Sequence, residues 1–362
     1  MGEPIKNIFN QQYVSDLADA VQGQYPPFDK ESFIAQVIDD DWEARELKER
    51  MRHISTVLHD FLPGDYRPAL DILRQTAPKL SQYGFASMVF SDYVEVYGLA
   101  DYDASIPALE QFTQQISAEF AVRPFIIKYQ DRMLAQMLAW ARSDNGHLRR
   151  LASEGCRPRL PWGVALPALK ADPSPILPIL ELLKQDESET VRRSVANNLN
   201  DISKDNPEVV IEVLQNWQAH DTEEIRAITR HALRTLLKAG HPEALALLGY
   251  PPPAIAVKNL SIEPETVPFG GNVTFSFDIE SMAEQPQDLM IDYVVYLMRA
   301  NGKQTPKVFK LSKRVIQPGE VIHIERKLSF EPVTTRKYYP GAHAIEPKIN
   351  GKAFGMAEFV VG

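Results

Sequence analysis

The chain has 362 residues, enough for two or three domains, and its 44% hydrophobic and 24% charged residues describe folded segments and exclude long disorder. A net charge of -9 excludes indiscriminate attraction to polyanions, and a single cysteine, Cys156, excludes an intrachain disulfide or a multi-cysteine zinc site. No apolar run reaches the roughly 18 residues that cross a bilayer, and the start has no basic segment leading into an apolar stretch, so a cytoplasmic protein with no membrane partner is expected.

Residues 1–250 read as helices. Leu47, Met51, Ile54, Val57, Leu58, Phe61 and Leu62 fall near a period of 3.6, as do Ile176, Ile179, Leu180 and Leu183. Proline and glycine sit mostly between such runs, as in Pro63-Gly64. Pro251-Pro252-Pro253 then forms a stiff linker. From Leu260 to Gly362 the period changes to two, clearest over Val273–Ile279 and Val321–Phe330. Gly270-Gly271, Asn301-Gly302, Pro318-Gly319 and Asn350-Gly351 punctuate these runs with turn chemistry. About seven short strands in ~100 residues predict a β-sandwich.

The helical region repeats itself. Asp144 to Leu148-Arg149-Arg150 matches Glu187 to Val191-Arg192-Arg193, and a third copy runs from Asp221 to Ile225-Arg226. Each copy is an acid-rich turn, an aliphatic helix residue and an arginine. The spacing is that of HEAT-like two-helix units. One such unit cannot bury its own apolar face, so the units are expected to stack as an α-solenoid with a concave wall. Arg192 and Arg226 read either as structural partners of a neighbouring unit's acid or as part of a basic wall. Arg149-Arg150 lies in a denser patch. From Arg123 to Arg159 eight Lys and Arg face three acids, a local balance of +5.

That patch runs into Glu154-Gly155-Cys156-Arg157-Pro158-Arg159-Leu160-Pro161-Trp162. A helix that breaks into glycine and prolines around arginines and a tryptophan lacks a packing rationale and tends to be functional. Glu154 is either the counter-ion of the surrounding arginines or a carboxylate beside an anion-binding surface. Trp162 is either core or a π-face for a base or sugar. Upstream, Glu119 stands in Ile116-Ser-Ala-Glu119-Phe-Ala-Val-Arg123-Pro124, an acid on a small, apolar helix stretch closed by Arg-Pro. It is either a solvated edge residue or a tuned functional group. Cys156, among arginines, is expected to have a lowered pKa and to be incidental.

The runs HLRRLASEGCRPRLPW, SAEFAVRPF and VRRSVANNLNDISKDNPEVV together resemble the bacterial DNA alkylation-repair glycosylases of the HEAT-like repeat class, and within it the AlkC branch, some members of which carry a C-terminal immunoglobulin-like domain. The resemblance covers about 250 residues; the loop run is its specific part. The sister AlkD branch has a tryptophan where this chain has Asn197, so no aromatic contact transfers there and Trp162 takes that role.

The resemblance implies a HEAT-like α-solenoid over 1–250 that binds DNA and carries the chemistry, a linker at 251–253, and an immunoglobulin-like sandwich over 254–362. It implies a monomeric, monofunctional glycosylase without metal or cofactor. Its partner is double-stranded DNA containing alkylated bases, from which it removes 3-methyladenine and also 3-methylcytosine without a full base pocket. Glu154 and Glu119, with Asp201 as a third acid, would stabilise the sugar cation and place water, with Trp162 against sugar or base. Arg123, Lys128, Arg149, Arg150, Arg157, Arg159, Arg192 and Arg193 would hold phosphates. In the sandwich, Lys307, Lys310, Lys313 and Arg314 form an edge suited to DNA. The competing reading is a HEAT-like protein that binds DNA structure or damage without chemistry.

Overall fold

The computed structural model describes residues 4–220, 222–332 and 337–362, so Asp221 of the third repeat copy lies outside the described residues. Two compact units emerge. The first runs to Asn206 and includes Thr222–Ile228; the second takes residues 207–220 and the chain from Thr229 to Gly362. Among the described residues no helix is long and apolar enough to cross a membrane.

The first unit is helical throughout, and its local signals explain why. The helix Leu47–Phe61 opens on a capping box in which Glu46 and Glu49 satisfy each other's backbone N–H groups. Its buried stripe is Met51, Ile54, Val57 and Leu58, turned toward the helix Met88–Tyr97. The helix Gly146–Gly155 starts at Asn145, whose side chain accepts from the His147 N–H at 2.9 Å. It closes at Gly155, where a Cβ would lie 2.6 Å from Val122 Cγ2 and 2.9 Å from Met137 Cε. The helix Glu189–Ile202 packs directly on it.

The repeat is visible in the bonds. Arg149 Nη1 donates to the carbonyls of Ser143 and Asp144 at 3.1 and 2.9 Å. Arg192 Nη1 donates to the carbonyls of Asp186 and Glu187 at 2.5 and 2.9 Å, at the same offsets. Arg149 also reaches forward, with Nε and Nη2 on the Asp186 carboxylate at 2.6 and 3.1 Å. Each arginine thus ties down its own turn, and Arg149 fastens its unit to the following one.

The second unit carries the strands. β1 (Ile255–Glu263), β3 (Asn272–Ser281) and β6 (Val321–Ser329) form one sheet in the order β1-β3-β6. The other sheet has the order β2-β9-β7-β4-β5, from β2 (Thr266–Val267), β4 (Gln287–Met298), β5 (Gln304–Ile316), β7 (Gly341–Ile349) and β9 (Ala357–Val361), with β8 (Lys352–Ala353) paired to β7. β3 alternates strictly, and its Phe275, Phe277 and Ile279 meet Tyr293, Val295 and Leu297 of β4 in one core. Asn350 and Gly351, with φ of 47° and 79°, make the tight β7–β8 hairpin. Lys307, Lys310, Lys313 and Arg314 are exposed on β5, an edge strand where charge also deters edge-to-edge pairing.

His343 on β7 is fully buried between Phe330 and Phe359. Its Nδ1 accepts from the Met298 N–H at 3.4 Å and its Nε2 faces the Tyr339 carbonyl at 3.1 Å, which fixes the neutral tautomer. Burial lowers its pKa below 6.5. A histidine whose folded pKa is depressed adds stability fully present above its unfolded pKa and lost as pH falls through the folded one. Thermal unfolding of the sandwich is therefore expected at a lower temperature at pH 5 than at pH 8, with His343→Gln flattening that dependence. An identical pH profile in the variant would refute the assignment.

Candidate active site

The site is built on the helix Gly146–Gly155, which presents Arg150 and Glu154 one turn apart on a single face. Glu154 is 5% exposed. Its Oε1 accepts from Arg157 Nη1 at 2.5 Å and its Oε2 from Ser194 Oγ at 2.6 Å. Asp201, from the packed helix Glu189–Ile202, is 1% exposed. Its Oδ2 accepts from Arg157 Nε at 2.8 Å and its Oδ1 from Lys204 Nζ at 2.8 Å. Arg157 therefore bridges two buried carboxylates drawn from adjacent units. Burial opposes its charge, but Glu154 and Asp201 outweigh that and hold its pKa above the usual arginine value.

Glu119 joins from a separate segment. The predicted helix around it is instead a turn, and Pro124 lies in the first turn of the next helix, Val122–Lys128, rather than closing the previous one. Glu119 Oε2 accepts from Arg150 Nη1 at 3.0 Å, and its side chain keeps 16% exposure, the most open of the three acids. Three carboxylates from three elements thus gather on two arginines.

Arg123 does something other than hold phosphate. It is fully buried. Its Nη1 donates to the carbonyls of Gly155 and Arg157 at 2.9 and 2.8 Å, and its Nε to the Val164 carbonyl. Its pKa is pulled down to about 10, chiefly by burial. Both ends of the loop are thereby pinned to one guanidinium. Between them Trp162 is 62% exposed and adopts φ 63°. A non-glycine residue in that region costs roughly 1–2 kcal/mol and persists where its surroundings over-determine it. The indole thus stands at the surface and not in the core. Its carbonyl accepts from Lys48 Nζ at 2.9 Å, and that ammonium lies 4.7 Å from the Phe120 ring centroid. Lys48 was not legible as a site residue, because nothing in its own helix distinguishes it.

The remaining cations divide by what they touch. Arg149 is 12% exposed and committed to Asp186 and Glu187, and Arg157 is buried. Arg157 and Arg123 offer no surface to a phosphate, which corrects the sequence expectation for these two, while Arg149 keeps a small exposed part. Arg192 is half-buried over its own turn. Lys128 is exposed, with one bond to the Leu99 carbonyl. Arg150 keeps 31% exposure, Arg159 keeps 37% in a bidentate pair with Asp205, and Arg193 keeps 60% beside Glu189. The local excess of +5 is largely answered by acids distant in sequence.

Cys156 is also corrected. Burial pushes its thiol up to about 12 despite Arg123 nearby. Its Sγ donates to the Ala152 carbonyl at 3.1 Å and receives Asn198 Nδ2 at 3.4 Å. A disulfide reagent such as DTNB is expected to leave it unlabelled in the native protein and to label it stoichiometrically in denaturant. Rapid native labelling would contradict this burial.

A model of DNA alkylation repair enzymes matches residues 91–236, and a model of the C-terminal Ig-like domain of the uncharacterised protein YhaZ matches residues 256–362. The uncharacterized protein YhaZ of Bacillus subtilis is 46% identical over 358 residues, covering 99% of both chains. The structure of the Pseudomonas fluorescens alkylpurine DNA glycosylase AlkC, bound to DNA containing an abasic site analog, is 39% identical, covers 100% of this chain and 99% of its own, and superposes with a TM-score of 0.86.

Proposed function

The chain belongs to the AlkC-like DNA alkylation-repair enzymes with a C-terminal immunoglobulin-like domain, and we propose that it hydrolyses the N-glycosidic bond of cationic alkylated bases, 3-methyladenine and 3-methylcytosine, in duplex DNA. The observation that carries this reading is the gathering of Glu119, Glu154 and Asp201, from three elements, around Arg150 and Arg157, beside the loop that presents the exposed Trp162.

A base methylated at a ring nitrogen already bears positive charge, so its departure needs no acid. What develops is cationic character on the sugar, and the group to answer it is a carboxylate that also orients water. Glu154 and Asp201 are buried and each is matched by Arg157, so they serve as the rigid frame. Glu119 has the openness to meet the sugar and the attacking water. Its pairing with Arg150 fixes it in position. Trp162 lies against the sugar or base, where its ring face attracts a cation. Lys128, Arg150, Arg159, Arg192 and Arg193 hold phosphates, which gives sequence-independent affinity that falls with salt. Residues 1–250 carry DNA binding and chemistry, the linker 251–253 joins them to the sandwich, and the sandwich adds grip through β5. The enzyme acts as a monomer, without strand cleavage and without a metal or cofactor.

The test is single-turnover release of free base from DNA containing 3-methyladenine and, separately, 3-methylcytosine. Release of intact base, with the abasic strand left uncut until alkali is added, is the expected result. Tight binding of the lesion DNA without release would favour the non-catalytic damage-binding alternative.

A further inference from the structure

Trp162 stands on a backbone that its own sequence does not favour, and two cations from distant parts of the same unit hold it there. Arg123, on the helix Val122–Lys128, takes the carbonyls of Gly155, Arg157 and Val164, one side of the loop and the other. Lys48, on the helix Leu47–Phe61, takes the carbonyl of Trp162 itself at 2.9 Å. The two grips are complementary. Arg123 fixes the loop's ends but makes no bond to its apex, and Lys48 bonds only the apex.

The residue beside Trp162 is shaped to this arrangement. A Cβ on Gly163 would come within 3.1 Å of Arg123 Cδ and Nε, so a side chain there presses on the guanidinium. Lys48 is itself placed by more than one contact: its ammonium lies 4.7 Å from the Phe120 ring, one residue beyond Glu119. One side chain therefore spans from the segment of the most open carboxylate to the residue that presents the aromatic face.

We propose that Lys48 is a positioning residue for base excision, which fixes the Trp162 backbone so that the indole and Glu119 face the same nucleotide, with Arg123 as the buried anchor of the loop. This rests on the reading of Glu119 and Trp162 given above, and goes beyond it by assigning a residue that makes no contact with the reacting atoms.

The test uses the full-length protein and a probe that the chain supplies. Of its four tryptophans, Trp42, Trp140 and Trp217 are 4%, 2% and 2% exposed, against 62% for Trp162, so the acrylamide-quenchable fluorescence reports Trp162. W162F identifies that component. In K48M the quenchable component is expected to depolarise faster, and the single-turnover release rate to fall by about 10- to 100-fold, the size of loss that a small misplacement near the chemistry causes. Affinity for lesion DNA should change far less than the rate. K48R, which restores a donor of similar reach, should recover most of both. G163A perturbs the other grip and should give the same loosened fluorescence, with an unfolding temperature near that of the wild type. Wild-type depolarisation and wild-type rate in K48M would overturn the proposal. Faster depolarisation in K48M, in a protein whose wild type releases no alkylated base, would leave the clamp standing and remove the excision reading instead.

Discussion

Glu119→Gln is expected to lower the rate of 3-methyladenine release by about 10²- to 10³-fold, the loss typical of removing one preorganised electrostatic group. The amide keeps an oxygen that can accept from Arg150, so the turn preceding Val122–Lys128 should hold its shape. What disappears is the negative charge that answers the sugar cation and the basicity that orients water. Binding to lesion DNA should be unchanged or tighter, since a carboxylate near the phosphates has been neutralised. Glu154→Gln should differ in kind: a buried partner of Arg157 loses its charge, so stability falls along with rate. Equal rates for Glu119→Gln and wild type under single-turnover conditions would remove Glu119 from the chemistry.

The second large effect is on the fold. Arg157→Met leaves Glu154 and Asp201 buried without their shared cation. Breaking a buried pair by deleting one partner costs roughly 3–5 kcal/mol, which for a helical unit of this size lowers the unfolding temperature by roughly 10 °C. The cost comes chiefly from Glu154, left with the Ser194 hydroxyl alone, since Asp201 keeps Lys204. A triple variant, with Glu154→Gln and Asp201→Asn added, should therefore recover much of the stability while staying inactive. Circular dichroism melts of the single and triple variants measure this. A single variant that melts with the wild type would show that the triad is solvated.

The features legible in the sequence are those that repeat or alternate. The acid–aliphatic–arginine copies gave the register of the stacked helices, and the Arg149 and Arg192 bonds to their own turns show why that spacing recurs. Phe275, Phe277 and Ile279 gave the strand face, and Asn350-Gly351 the hairpin. The loop after Glu154 stood out because its composition suits no packed element. Hidden from the sequence were the partners. Asp186 lies 37 residues from Arg149, and Asp205 lies 46 residues from Arg159. Local charge arithmetic counts the cations and misses the acids that neutralise them. Arg123 was misplaced for a related reason: a guanidinium that satisfies carbonyls looks, in sequence, like one that waits for phosphate. At Cys156 the arginines are visible in the sequence, whereas the burial that outweighs them is not.

Arg149 consumes the acid of the following repeat and the carbonyls of its own turn at once, so the fastening between these two units is carried by an arginine and an aspartate at fixed offsets. The acid is not itself repeated: at the offset of Asp186 the first copy carries Ser143, so this pair is particular to these two repeats. An insertion or deletion between Arg149 and Asp186 would put the pair out of phase, so changes of length in this stretch are expected to be tolerated only where they leave that spacing intact.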